Sequence, residues 1–418
     1  MEMSRRSLFR HSGVAVGVAT LGGFELFSQQ KKPDPFAGLK SMTAGVKPLD
    51  PADYQARIEK ARKLMADQKI DLLYLNGGTS LEYFGAIRWG LSERMFAMMI
   101  PARGDIAYVC PKFEEARARE QIKFGTDVRT WEEDQSPYAL VKQVLQDCKI
   151  PSGVIGVEPT VREFVIDGMQ KACTTAKFVN GENISQGCRM IKSKKELEHM
   201  TLACNITKKA YEAGFQTLHE GMSQGELRNN IAQAHTRLGA TGSGGPSFGP
   251  SSGNPHGSIL DRTLKAGDVV LVDGGCAVEG LHSDVTRTVV FGKPSDRFRK
   301  IWDIVKKAQE AALAAVRPGV PCEAVDAAAR KVVVDAGYGP DYKYFAHRVG
   351  HGIGLDGHEY PYLVHGNKLP LQPGMTFSDE PGIYLANEFG VRIEDTFYVG
   401  EDGLGHIFGE TVTAISSY

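Results

Sequence analysis

A pattern that occurs twice in the C-terminal half constrains this chain more than any other feature. The first copy is Ala266-Gly267-Asp268-Val269-Val270-Leu271-Val272-Asp273, a turn, and then Asp284-Val285-Thr286. The second is Pro373-Gly374-Met375-Thr376-Phe377-Ser378-Asp379-Glu380, a turn, and then Glu394-Asp395-Thr396. In each, a glycine precedes a carboxylate by six residues, and a second carboxylate opens a carboxylate-x-Thr triplet on the returning strand. Short apolar runs rich in β-branched residues and separated by turns read as β-hairpins. Two like hairpins, each offering two acids, imply a pseudo-twofold site on which four carboxylates converge.

Clustered carboxylates repel one another, so they must be protonated or neutralised by cations. Two divalent ions would balance four of them. His351, within Arg348-Val349-Gly350-His351-Gly352-Ile353-Gly354, is the natural fifth ligand, and its flanking glycines let backbone approach closely. An oxygen-rich set with one imidazole suits manganese, with zinc, cobalt or iron as alternatives. Taken singly, these residues are ordinary: an Asp before Gly-Gly is usually a turn residue, and a histidine between glycines a packed loop residue. Their joint order carries the signal. The segment Val391 to Val399 adds to it, because period two puts Arg392 and Glu394 side by side on one face of a strand.

The rest of the chain divides around that core. Residues 53–185 read as an α/β unit: a helical pattern to about Gln68, the strand-like Ile70-Asp71-Leu72-Leu73-Tyr74-Leu75-Asn76, a hairpin over Met95 to Cys110, and a strand at Val154 to Val157. The second unit, 186–418, opens with Ser193-Lys194-Lys195-Glu196, a pattern in which serine and glutamate each satisfy an orphan helix N–H. Ser223-Gln224-Gly225-Glu226 starts a second helix in the same way. The Gly/Ser/Pro stretch Thr241 to Gly257 is too long for a mere connector. The fold class expected is therefore α/β, more closely α+β, in two units.

In order, the segments VDGG, HSDVTRT, HRVGHGIG, FSDEPGIY and VRIEDT resemble the five metal-ligand motifs of creatinase/prolidase-type metallopeptidases. Five ordered motifs make this far more specific than a single match. The resemblance implies a pita-bread catalytic domain behind a creatinase-like N-terminal domain. It implies Asp273, Asp284, His351, Glu380 and Glu394 as ligands, with Asp284 and Glu394 bridging two ions. His256, His347, His358 and Arg392 fall where Xaa-Pro aminopeptidases and Xaa-Pro dipeptidases keep theirs. The resemblance makes His256, His347 and His358 substrate-binding residues. It makes His256, His358, Glu380 and Arg392 catalytic: His358 as donor to the scissile carbonyl, Glu380 as proton carrier, His256 for positioning, Arg392 to steady the ligand strand. The implied partners are a peptide substrate and, as is common in the family, a second copy in a homodimer. Other readings on the same fold are a metal-dependent non-peptide hydrolase or lyase and a binding module without catalysis. Binding modules have lost ligands, and this chain keeps all five.

Ser4-Arg5-Arg6-Ser7-Leu8-Phe9-Arg10 followed by the uncharged run Gly13 to Phe24 reads as an export signal within residues 1–30, of the twin-arginine type. Twelve helical residues cover roughly 18 Å, short of a hydrocarbon core of about 30 Å. The expected partner is the twin-arginine machinery and the expected location the periplasm. No clear A-x-A site follows, so an uncleaved segment would tether the protein to the membrane. Residues 31–52, rich in Pro, Gly and Lys, read as a linker. Lys plus Arg is 49 against Asp plus Glu 50, which gives no electrostatic case for nucleic acid as a partner. Seven scattered cysteines without a C-x-x-C pair argue for buried, reduced thiols rather than a disulfide framework.

Overall fold

A computed structural model describes residues 34–418. The expected export signal lies outside them. Among the described residues, no helix is long and apolar enough to cross a membrane.

The first unit is built on a mixed six-stranded sheet. Its strand order is Asp127–Trp131, Ala107–Pro111, Ala97–Pro101, Leu72–Asn76, Val154–Val157, Lys177–Asn180. The expected hairpin is present, with Met98 opposite Tyr108. Leu72–Asn76 is apolar on both faces because both faces are covered. Leu73 and Leu75 pack with Ile58 and Met65 on one side, while Leu72 and Tyr74 pack with Val141 and Val165 on the other. The helix Pro51–Gln68 starts two residues before the expected Asp53, because Asp50 caps it and Asp53 returns the bond to the Asp50 N–H.

The second unit repeats one plan twice. Two helices, Lys194–Phe215 and Gln224–Leu238, precede the strand Val269–Gly274, a short ribbon, and the strand Val285–Val290. Two more helices, Asp296–Ala315 and Cys322–Asp335, precede Thr376–Asp379, a second ribbon, and Asp395–Val399. In each half the carboxylate strands pair antiparallel, Asp273 opposite Thr286 and Ser378 opposite Thr396. This is the pseudo-twofold α+β arrangement that the pita-bread name denotes. Ser193 and Glu196 form the full reciprocal cap, whereas Ser223 simply accepts from the Glu226 N–H.

Three local expectations need correction. Val391 to Val399 is two strands, not one: Phe389–Arg392 pairs with Gly382–Leu385, and Asp395–Val399 pairs with Thr376–Asp379. The break falls at Glu394, whose N–H crosses to the Thr286 carbonyl at 3.2 Å and so joins the two halves. The stretch 241–257 is partly regular. Gly245–Phe248 adds a strand beside Val269–Gly274, and Phe248 is buried in the core cluster that holds Val270. The third concerns the linker. From residue 34 it is exposed for the most part but anchored: Phe36 is buried among Ala203, Ile206, Leu238 and Cys276, and Met42 N–H donates to the Leu238 carbonyl at 2.8 Å. Composition correctly signalled the lack of regular structure, but said nothing about one aromatic anchor.

Candidate active site

The two halves meet around a cavity of about 520 Å³. Its walls carry all nine expected residues: His256, Asp273, Asp284, His347, His351, His358, Glu380, Arg392 and Glu394. Asp273, Asp284 and Glu394 bring one ligand atom each within 4.8 Å of one another, as do His351, Glu380 and Glu394. Glu394 belongs to both groups. Asp284, His351 and His358 make a third.

His351 reaches this cluster because its neighbours have no side chains. A Cβ on Gly350 would collide with the Ser378 carbonyl, and one on Gly352 with the Glu359 carbonyl. The His351 Nδ1–H donates to the Gly352 carbonyl at 3.0 Å, which leaves the Nε2 lone pair facing inward. That nitrogen stands 3.4 Å from Glu380 Oε1 and 3.7 Å from Asp284 Oδ2. Burial, and then His358 beside it, push the His351 pKa down to about 3, so the ring is neutral. The Nε2 lone pair thus faces two carboxyl groups.

The acids show the same imbalance. Burial and the neighbouring Asp273 and Glu380 push Asp284 well above the usual carboxylate range. Burial and Asp284 do the same to Glu394. Glu380 is pushed up to about 7 by burial, with Arg392 opposing. The cation in contact with these acids is Arg392, 2.6 Å from Asp273 Oδ2. Four acids and a neutral imidazole form an oxygen-rich donor set that fits divalent cations.

Arg392 does more than balance charge. Its Nε donates to Thr286 Oγ1 at 2.9 Å, and Nη1 donates to Tyr384 OH at 3.0 Å and to the Pro255 carbonyl at 2.9 Å. Thr286 Oγ1 lies 3.0 Å from Asp273 Oδ1 and 2.5 Å from Glu394 Oε2. With a single proton, the hydroxyl donates to one of them at a time. Tyr384 OH donates in turn to His347 Nε2 at 2.8 Å, and His347 Nδ1–H donates to the Arg348 carbonyl at 2.8 Å. Both His347 nitrogens are therefore engaged, and the ring offers substrate only its carbon edge. Burial and Arg392 hold His347 neutral, with its pKa down to about 3. His256 and His358 stand on the open side of the cavity.

One contributor, Tyr384, was not singled out in the sequence. Tyr384 ties His347 to Arg392, and Arg348 lines the cavity with its guanidinium over the Tyr362 ring at 4.2 Å. Tyr384 sits in Gly382-Ile383-Tyr384, beside a ligand motif, which was the available signal. Lys368, by contrast with Arg348, pairs with Glu323 on the surface.

Residues 198–401 match the model of metallopeptidase family M24, and residues 57–191 match the creatinase/prolidase N-terminal domain. The chain belongs to metallopeptidase family M24. It is 35% identical over 367 residues to a Mycobacterium tuberculosis protein described as probable dipeptidase PepE, covering 86% of this chain and 95% of that one. Among solved structures it resembles dipeptidase PepE from Mycobacterium ulcerans, at TM-score 0.82 and 32% identity over 89% of this chain and 99% of that one. It likewise resembles a prolidase from Thermococcus sibiricus, at TM-score 0.79 and 33% identity over 88% and 99%.

Proposed function

We propose that this metallopeptidase hydrolyses the Xaa-Pro bond of dipeptides, with two divalent cations, manganese by preference, held by Asp273, Asp284, His351, Glu380 and Glu394. The observation that carries this reading is the convergence of four acids and a neutral imidazole on one cavity, where Arg392 alone pairs with one of the acids. Bound there, the ions supply Lewis acidity, which makes water nucleophilic near neutral pH and polarises a carbonyl. The chain's own groups do the rest. Glu380 would take a proton from the attacking water and return it to the leaving nitrogen. An Xaa-Pro bond has a tertiary amide nitrogen, so proline leaves only once protonated. His358 donates to the carbonyl oxygen as charge develops there. His256 holds the substrate at the mouth, its loop tied down through Pro255 and Arg392.

A second reading, Xaa-Pro aminopeptidase, differs only in substrate length. Arg348 favours the dipeptidase, because a guanidinium in the wall suits the free carboxylate of a C-terminal proline. The test is turnover with added manganese on Ala-Pro and Gly-Pro, on Ala-Pro-Ala, and on Ala-Ala. The expected result is cleavage of the two proline dipeptides, slow or no cleavage of the tripeptide, and little of Ala-Ala. Equal rates on Ala-Pro and Ala-Ala would reject proline selectivity, and fast cleavage of the tripeptide would favour the aminopeptidase. We also propose that the chain is exported in folded form, on the strength of Arg5-Arg6 and the short apolar run after them.

A further inference from the structure

His358 is held in an unusual way. Its ring stacks on His351 with centroids 3.6 Å apart and planes 19° from parallel. On its other side it borders a second chamber of about 190 Å³, shared with Glu158 and Ser185 of the N-terminal unit. The ring thus has room to leave the stack, and something must keep its loop from letting it go. Two residues of the matched N-terminal domain, Thr79 and Arg189, do so, together with Lys192 just beyond its last matched residue. Asp356, two residues before His358, accepts from Thr79 Oγ1 at 2.6 Å and from Arg189 Nη2 at 2.5 Å. Glu359, one residue after it, accepts from the same Arg189 Nη2 and from Lys192 Nζ, the latter at 2.5 Å. Leu355 packs against the N-terminal core cluster that includes Phe84 and Ile87. One buried guanidinium therefore grips carboxylates on both sides of His358.

We propose that Arg189 and Thr79 are positioning residues for His358, so that the N-terminal unit sets the geometry of the catalytic loop as well as bordering it. The proposal rests on the role given to His358 above and deepens it. Two cations, Arg189 and Lys192, face two carboxylates, Asp356 and Glu359, so the clamp is balanced without drawing on the metal-site acids. A guanidinium presents several N–H donors in a rigid fork and can serve two carboxylates at once, whereas an ammonium on a flexible stem fixes their separation less well. Displacing a catalytic donor by about 1 Å can cost roughly 10²-fold in rate.

The experiment uses the full chain in four forms: Arg189→Met, His358→Ala, the double variant, and Arg189→Lys. Turnover is measured on Ala-Pro with manganese, and crystal structures of wild type and Arg189→Met report the ring. The expected result is a His358 ring displaced from the stack in Arg189→Met, with kcat down about 10²-fold and KM little changed. In the His358→Ala background the same substitution should cost little, because its effect runs through that ring. Arg189→Lys should recover part of kcat. Losses that multiply in the double variant, or a ring still stacked with kcat unchanged, would overturn the clamp. Should Arg189→Met not fold, Thr79→Val removes one hydroxyl and leaves the ion pairs, and the same cycle with His358→Ala decides. Absence of Ala-Pro turnover in wild type would count against the proposed substrate, while the ring position in the variant would still settle the clamp.

Discussion

Glu394 and Asp395 are neighbours in the chain with opposite electrostatic surroundings. Asp395 is fully buried, which alone would raise its pKa. Arg287 at 2.7 Å and Lys208 at 2.9 Å outweigh that and bring it down to about 2. Glu394 faces Asp284 and Glu380 instead and is pushed well above its usual range. One acid is a finished ion pair, while the other sits among like charges. A pH dependence follows for metal-depleted protein. Acids whose folded pKa is raised bind more protons folded than unfolded, so stability falls as pH climbs from the unfolded pKa through the folded one. Below about pH 6.5 the neutral buried rings of His347 and His351 oppose this, because the unfolded chain protonates them and the folded one does not. Above it those rings are neutral in both states and the acids alone count. Thermal melts after chelation should therefore show a falling midpoint between about pH 6.5 and 8, reversed by added manganese. A midpoint that stays level across that range, or that manganese fails to raise at the upper end, would argue against the cation-deficient cluster.

Among the structural elements, the segment before the first helix is the most consequential surprise. Phe36 is 2% exposed and fills a gap between the two helices that open the catalytic unit and the ribbon after Asp273. Truncating a buried phenylalanine to alanine costs about 3 kcal/mol or more. Phe36→Ala should lower the denaturation midpoint accordingly, and a change below about 1 kcal/mol would mean that the segment is not an integral part of the core. Phe36 could not be read from sequence because a lone aromatic among prolines and glycines has no periodicity. The hairpins could be read because their alternation and their acids recur in both halves. For the same reason, the five candidate ligands were legible while Tyr384 was not. Its hydroxyl acts only where His347, 37 residues away in sequence, and Arg392 meet it in space. The break at Glu394 was hidden by a pattern that alternates straight through it, since the bond that interrupts the strand comes from Thr286 in the other half.

At the scale of the whole molecule, the two units are joined by buried polar contacts as well as by the clamp on His358. Arg57 of the first helix pairs with Glu196 of the catalytic unit at 2.6 Å and lies 4.0 Å from the Tyr83 ring centroid. All seven cysteines are free, and six of them are buried. Such a body gains nothing from an oxidising compartment, and it needs its cations loaded after the two halves have met, because neither half holds a complete ligand set. A route that carries folded protein meets both requirements, and this is what gives the twin-arginine proposal its physical content. Replacing Arg5 and Arg6 together by lysine should leave the folded, metal-loaded protein in the cytoplasm. Replacing Lys31 and Lys32 by arginine should leave export as it was. The measurement is the division of Ala-Pro hydrolysis and of the protein itself between periplasmic, membrane and cytoplasmic fractions. Recovery outside the cytoplasm undiminished by the paired arginine substitution would discard the twin-arginine route. Recovery of the wild type in the membrane fraction, with its N-terminus intact, would identify the uncleaved tether.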